Sequence, residues 1–208
     1  DYTNSAWLDA AEAQVAELGI AITAARHETV ALLLGAMAQS QVEMAEVEGG
    51  LPFPRALLAV EGGIDHLVAQ LSATDAEDAY RLMLAKSRPR DRASGRTHDG
   101  PHRSEFVVRH AAKDMPARLC STGEQKALLI GLVLAHARLV ASMAHMAPIV
   151  LLDEVAAHLD EERRAALFNM LDTLGCQAFM TGTDRSLFAS LQQRATFFHV
   201  ENGTLQSD

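Results

Sequence analysis

The sequence predicts an α/β fold, a parallel sheet packed by helices, joined to a largely helical, coiled-coil-like domain. Three observations carry that expectation. The run Pro148-Ile149-Val150-Leu151-Leu152-Asp153-Glu154 is a short apolar segment that ends in two adjacent carboxylates, the pattern of a buried strand opening onto a polar edge. Upstream, Ser121-Thr122-Gly123-Glu124-Gln125-Lys126 heads an apolar helical stretch, with Ser and Glu at capping-box spacing. Near the amino end, Leu8, Ala11, Val15, Leu18, Ile22, Ala25, Thr29, Leu32 and Ala36 recur at alternating three- and four-residue steps, the seam of a helical hairpin or coiled coil.

Taken in order, residues 5 to 48 read as one long helix or two in line, capped by Asn4 or Ser5. An ordinary bundle helix and a protruding arm both fit. Gly49-Gly50-Leu51-Pro52-Phe53-Pro54 stops it. Ala56 to Val60 is a short strand, Glu61-Gly62-Gly63 a turn and Ile64 to Leu71 a short helix. Thr74 with Glu77 makes a capping-box start for a helix to about Arg88. Arg90 to His102 is polar and contains glycine, so it reads as a loop. The boundary between a helical domain (1–95) and an α/β lobe (96–208) falls there. Phe106-Val107-Val108 is a strand, and Gly123 to His145 a helix with a broad apolar surface. Ile149 to Leu152 is a fully buried strand and Asp160 to Leu174 a helix. Gln177 to Met180 and Thr196 to Val200 are further strands, an alternation at parallel-sheet spacing.

The chain of 208 residues is 49% hydrophobic and only 5% aromatic. That is enough apolar material for a substantial core, rich in helix-forming Ala and Leu. A net charge of −9 argues against a general polyanion binder. The charge is uneven, however. Between Lys86 and Arg118 nine basic residues stand against four acidic ones. This stretch, with Arg88, Arg90, Arg92, Arg96 and Arg103, is either a DNA-phosphate contact or a solvated connector. Cys120 and Cys176 lack metal-type spacing and fit a reducing, cytoplasmic setting. No apolar run is expected to reach the ~20 residues of a membrane span, no signal peptide is read at the start, and no membrane partner is expected. The first residue is not Met and the helical pattern begins in mid-course, so a fragment of a longer protein is expected.

Adjacent strand residues point to opposite faces, but at a strand's carboxyl end both reach the crevice beyond it. There Asp153 can hold Mg²⁺, directly or through water, and Glu154 can orient or deprotonate a water as catalytic base. The competing reading is a helix start decorated with acids. Ser121 can cap its helix and offer a hydroxyl to a γ-phosphate, while Gly123 lets a phosphate approach the backbone. A plain N-cap is compatible with that role. His158-Leu159-Asp160 is a polar loop suited to communication between two nucleotide sites, and Asp160 is equally an N-cap for the next helix. Gly100-Pro101-His102-Arg103 is a turn whose His and Arg can contact phosphate or the helical domain. In Thr181-Gly182-Thr183-Asp184, which follows a strand, Thr181 or Thr183 can donate a hydrogen bond to phosphate.

Together these motifs resemble the RecF family, ABC-type ATPases of bacterial recombinational repair related to the SMC proteins. The resemblance rests on GPHRSEF (100–106), CSTGEQKALLIGLVLAHA (120–137), PIVLLDEVAAHLDEERR (148–164) and FMTGTDRSLF (179–188). The first half of the chain matches only as a helical insertion. The resemblance implies an ABC-ATPase head lobe, a P-loop-NTPase-like parallel sheet with helices, carrying a helical lid or arm. It implies ATP and Mg²⁺ as cofactors and homodimerisation in the presence of ATP. It also implies binding to single-stranded DNA and to gapped or junction duplex, recombination mediator proteins as partners, and roles in replication, repair and the SOS response. By position, Ser121, Gly123 and Glu124, with Thr122 and Gln125 beside them, match the signature motif that reads ATP on the opposite protomer. Asp153 matches the Walker B metal carboxylate and Glu154 the catalytic carboxylate. Ala157, His158 and Asp160 match the D-loop. Thr183 falls in the turn where ABC ATPases generally place a His that senses γ-phosphate.

No G-x-x-x-x-G-K-[ST] occurs in the chain, and the Q-loop region is missing too. The resemblance therefore implies an ATPase in the full-length protein and negligible hydrolysis by this chain alone. The alternatives are another SMC-like head, or a non-catalytic DNA-binding or scaffolding module that keeps the sheet without turnover.

Overall fold

The computed structural model describes residues 5–45, 52–191 and 193–207. The expected cap Asn4 and the first residues of the helix-ending stretch, Gly49 to Leu51, lie outside the described residues. The chain divides into two compact units, Asp1–Gly35 with Ala56–Pro116 and Ala36–Arg55 with Ala117–Asp208. The boundary drawn from sequence between residues 95 and 96 falls inside the first of them.

In the first unit, helix α1 (Ser5–Ala45, in this unit up to Gly35) is followed by β1 (Ala56–Glu61), α2 (Asp65–Gln70), α3 (Ala73–Ser94), β2 (Glu105–His110) and β3 (Met115–Pro116). The strands form an antiparallel sheet in the order β1-β2-β3, with Ala56 opposite His110 and Glu61 opposite Glu105. The period of α1 is the expected one, but its buried face is not. Ala16, Ile20, Thr23 and Val30 are buried, whereas Val15, Leu18, Ile22 and Leu32 of the expected seam are exposed. Small residues decide the phase. At Gly19 the Tyr80 ring of α3 comes so near that a Cβ would stand 2.7 Å from Tyr80 Cε1. Ala16 and Ile20 join Ile64, Ala76, Tyr80 and Leu84 in one core. Beside that core the buried Asp65 carboxylate accepts from Ser104 Oγ at 2.6 Å and pairs with His27 Nε2 at 3.0 Å.

The cap of helix α3 lies two residues before the expected Thr74. Ser72 is the cap: its hydroxyl accepts from the Asp75 N–H at 3.3 Å and donates to the Asp75 carboxylate at 2.6 Å. A Ser72 cap replaces the predicted Thr74–Glu77 box, and the Asp75 carboxylate takes the Ser72 hydroxyl hydrogen rather than a backbone one. The helix also outruns the expected end at Arg88, so Arg90 to Ser94 are helical rather than loop. Pro89 removes one helix hydrogen bond and costs about 3 kcal/mol in an unsupported helix. Here the flanking arginines hold the segment. Arg88 reaches Glu12 at 2.6 Å and Asp9, both on α1, and Arg90 reaches Asp99.

Tyr80 is buried and its hydroxyl donates to the Asp99 carbonyl at 2.9 Å. Burial first, then the charges of Asp99 and Asp91, push the phenol up to about 12, from an ordinary value near 10. The unfolded chain therefore ionises Tyr80 before the folded one does. Its contribution is complete below about pH 10 and is lost as pH rises towards about 12. Denaturant melts across that range check this: the alkaline loss of stability should be smaller in Tyr80→Phe than in the parent.

The second unit contains α4 (Thr122–Ala144), β4 (Val150–Leu152), α5 (Glu161–Leu174), β5 (Ala178–Met180), β6 (Phe198–Glu201) and β7 (Thr204–Ser207). Among the described residues only β4 and β5 pair in parallel; β6 and β7 form an antiparallel hairpin turned at Asn202-Gly203. Val150 and Leu152 are buried with Ile130 and Leu134 of α4, Leu167, Phe168 and Leu171 of α5, and Phe188. The strand is not fully buried, as the sequence suggested. Leu151 is 73% exposed and Phe179, its partner in register, 54%. Helices cover one face of the pair in this chain, and the opposite face carries apolar side chains in the open.

Two segments, Ala6–Gln39 and Thr122–Ala144, are long and apolar enough by length and composition to cross a membrane. This corrects the expectation that no such run exists. In α4 the apolar character has another use: Ala127, Leu128, Ile130, Leu134, Ala135 and Ala137 are buried in the protein.

Candidate functional site

The carboxylate pair is placed by two short parallel strands. In register, Val150 lies beside Ala178, Leu151 beside Phe179 and Leu152 beside Met180. Thr181 follows β5 directly and extends the ladder, its N–H donating to the Leu152 carbonyl at 3.0 Å. Its Oγ1 accepts from the Glu154 N–H at 3.0 Å, and its hydroxyl donates to Asp153 Oδ1. Asp153 and Glu154 therefore sit just past the carboxyl ends of the strands, where open α/β sheets bind ligands. Asp153 is exposed and Glu154 half-buried. Glu154 has φ 53°, in the left-handed region, which costs a non-glycine residue roughly 1–2 kcal/mol. The bond from its N–H to Thr181 offsets part of that cost.

Downstream, Ala157 and His158 are exposed on a single 3₁₀ turn, Ala156–His158. Asp160 caps α5, accepting from the Arg163 N–H at 2.8 Å, with the Arg163 guanidinium 3.3 Å from its other oxygen. Thr183 is exposed in the turn beyond β5. It is Thr181 that touches the acidic pair. That contact follows from the strand register, which sets Met180 beside Leu152 and so brings Thr181 to the acidic pair.

The second cluster is the start of α4. Ser121 and Glu124 form a full capping box: the Ser121 hydroxyl accepts from the Glu124 N–H at 3.4 Å, and Glu124 Oε2 accepts from the Ser121 N–H at 3.1 Å and from its hydroxyl at 3.0 Å. Thr122 and Gly123 lie exposed in the first turn. Gln125 turns back to donate to the Cys120 carbonyl at 2.9 Å. The helix N-terminus thus presents backbone N–H groups to solvent beside a hydroxyl that can exchange its carboxylate partner for a phosphate.

The basic stretch lies in the first unit as far as Lys113, with Arg118 in the second. Arg88 is committed to Glu12 and Asp9, and Arg90 to Asp99. Burial works to raise Asp99, but hydrogen bonds from Ser87 and Arg90 outweigh it and hold the carboxyl below its usual range. Arg92, Arg96 and Arg103 are exposed, and Arg96 and Arg103 line one open depression with Thr97, His98 and His102.

Asp153 suits Mg²⁺ as a single ligand. It is an exposed carboxylate with Oδ1 on Thr181 and a second oxygen remaining, and hard cations take oxygen ligands. Among the described residues no group of three or more His, Cys, Asp or Glu forms a cage. The rest of the shell would fall to phosphates and water.

No protein-family model matches the chain. Curated proteins do. The DNA replication and repair protein RecF of Brucella abortus (strain 2308) is 56% identical over 199 residues, covering 96% of this chain and 50% of that protein. The protein of the same name from Mesorhizobium japonicum is 54% identical over 199 residues, 96% of this chain and 51% of the relative.

The chain belongs to the RecF family.

It spans about half the length of the curated RecF proteins it matches. Solved structures agree on the fold. RecF bound to ATP, described as a recombination mediator of the RecFOR pathway, superposes with a TM-score of 0.73 at 20% identity, over 98% of this chain and 50% of that one. A second RecF structure, named as the RecF-ATPrS form, gives 0.72 at 20% identity over 97% of this chain and 50% of that one. The architecture is that of the RecF ABC-ATPase fold.

Proposed function

We propose that the chain is the carboxyl-terminal half of a RecF-type ATPase acting in DNA replication and repair. One observation carries this reading: Asp153 and Glu154 stand at the carboxyl edge of a parallel strand pair, locked to Thr181, in a chain 56% identical to a RecF protein. Asp153 holds Mg²⁺, which when bound neutralises phosphate charge. Glu154 orients the attacking water and accepts its proton. Ser121 and the exposed N–H groups of Thr122 and Gly123 take the γ-phosphate of ATP held by a second protomer, with Glu124 and Gln125 holding the turn. Ala157, His158 and Asp160 lie at the seam between the two sites, and Thr183 faces the same seam. ATP therefore closes a homodimer. The chain has no G-x-x-x-x-G-K-[ST], so by itself it hydrolyses ATP negligibly. The first unit supplies the helical lid or arm and the second unit the ATPase lobe. Its setting is the cytoplasm, on single-stranded DNA and gapped or junction duplex, with recombination mediators as partners.

The test is the mass of the full-length protein in solution with and without ATP. Doubling of the mass on ATP addition is expected, and a constant mass is incompatible with the reading. For DNA, backbone phosphates are the default target. Of the five candidate arginines named in the basic stretch, Arg92, Arg96 and Arg103 are the clean probes, because Arg88 and Arg90 hold acidic partners. Reversing all three to Glu should weaken DNA binding and reduce the slope of log K against log salt by roughly two to three, about one per lost phosphate contact. Titrations at several salt concentrations read this directly. An unchanged slope leaves the stretch as a connector.

The missing P-loop pattern is the observation that favours a second reading, a non-catalytic DNA-binding or scaffolding module. A reading frame upstream that encodes a P-loop decides against it.

A further inference from the structure

We propose that Thr181 is the positioning residue for both carboxylates, rather than a sensor of phosphate; this rests on the nucleotide-site reading above. One side chain and one amide engage three consecutive residues of the neighbouring strand end. The Thr181 N–H donates to the Leu152 carbonyl at 3.0 Å. Oγ1 accepts from the Glu154 N–H at 3.0 Å, and the hydroxyl hydrogen goes to Asp153 Oδ1. A hydroxyl has a single hydrogen to donate. While Thr181 gives it to Asp153, none remains for a phosphate oxygen.

The residue is itself firmly seated. A β-branched side chain has few χ1 choices. The next residue, Gly182, lies so close to the core that a Cβ there would stand 2.7 Å from Phe188 Cε2, and Phe188 is buried. The far side of the turn is tied by the Asp184 carboxylate, which accepts from the Ser186 N–H at 2.8 Å. A rigid turn on β5 therefore fixes the last residues of β4.

Glu154 is where this matters most. Its left-handed backbone, φ 53°, is unfavourable for a residue with a side chain. The acceptor on Thr181 is what satisfies its N–H in that conformation. Without it the peptide can relax to an ordinary region of backbone space, which re-aims the Glu154 carboxylate. Asp153 loses its orienting donor at the same time. A base displaced by about 1 Å can lose roughly 100-fold in rate while the nucleotide still binds.

The experiment uses the full-length protein and compares Thr181→Val, which keeps the shape and removes the hydroxyl, with Thr181→Ser, which keeps the hydroxyl. Glu154→Gln is assayed beside them. Thr181→Val should lower kcat roughly 10- to 100-fold with KM and ATP affinity within about threefold of the parent. Thr181→Ser should restore kcat to within about threefold. A Val variant with parental kcat overturns the proposal, as do Val and Ser variants that behave alike. A raised KM at unchanged kcat also overturns it, because it would make Thr181 a ligand contact. If Glu154→Gln is inactive but Thr181→Val is normal, only the positioning role fails. If Glu154→Gln turns over normally, the site reading fails and takes the positioning role with it. Should the Val variant not fold, as judged by near-UV circular dichroism, Thr181→Ala is measured against the same criteria.

Discussion

Glu154→Gln in the full-length protein should lower ATP hydrolysis by about 100-fold or more while leaving ATP-driven association intact. The glutamine keeps the size of the side chain and the backbone N–H that binds Thr181 at 3.0 Å, so the left-handed turn at 154 is preserved. What disappears is the negative charge and the proton acceptor. A positioned general base contributes roughly 10²–10⁴-fold, and the loss should appear in kcat rather than in nucleotide affinity. Because association depends on ATP being bound and not on its cleavage, the variant should remain dimeric longer than the parent after a pulse of ATP. Steady-state phosphate release and sedimentation of the same samples measure both. Normal turnover would remove Glu154 from the role of base.

Ser121→Arg should abolish ATP-dependent association. The side chain at the start of α4 would be replaced by a long cation where the γ-phosphate of the second protomer is to be received. The substitution also removes the cap that the Glu124 N–H donates to, and losing a cap costs about 1 kcal/mol. That is a modest destabilisation, so the folded protein should persist with a slightly lower melting temperature. Ser121→Ala separates the two effects, since it loses the cap without adding bulk or charge. It should retain some ATP-dependent mass increase, whereas the Arg variant should show none. Unchanged association of Ser121→Arg would mean that the α4 N-terminus does not face a second copy.

Much of this architecture is legible in the sequence, and the failures have physical causes. The apolar run ending at Asp153-Glu154 forms the strand expected of it, and the carboxylates sit at its end. The capping box at Ser121 and Glu124 forms as spaced. The phase of α1 was misread because two apolar stripes run one residue apart along the same helix. Hydrophobicity favoured Leu18 and Ile22, whereas close packing chose Ala16, Gly19, Ile20 and Thr23. The end of α3 is hidden because Arg90 to His102 is polar and contains glycine, which locally looks like a loop. No local rule reveals that Asp9 and Glu12, far away in sequence, hold Arg88 beside Pro89. Burial of β4 was overstated because an unbroken apolar run does not say whether both faces are covered within the same chain. The bond from Thr181 to the acidic pair depends on the register of two strands, which residue types alone do not specify.

The contact between Gly19 and Tyr80 has a consequence for how this sequence can diverge. In an isolated helix, alanine at position 19 would be favoured over glycine. Here the missing methyl group is the space the aromatic ring occupies. The two positions are thus coupled in one direction: a relative that gains a side chain at the first should have given up the ring at the second.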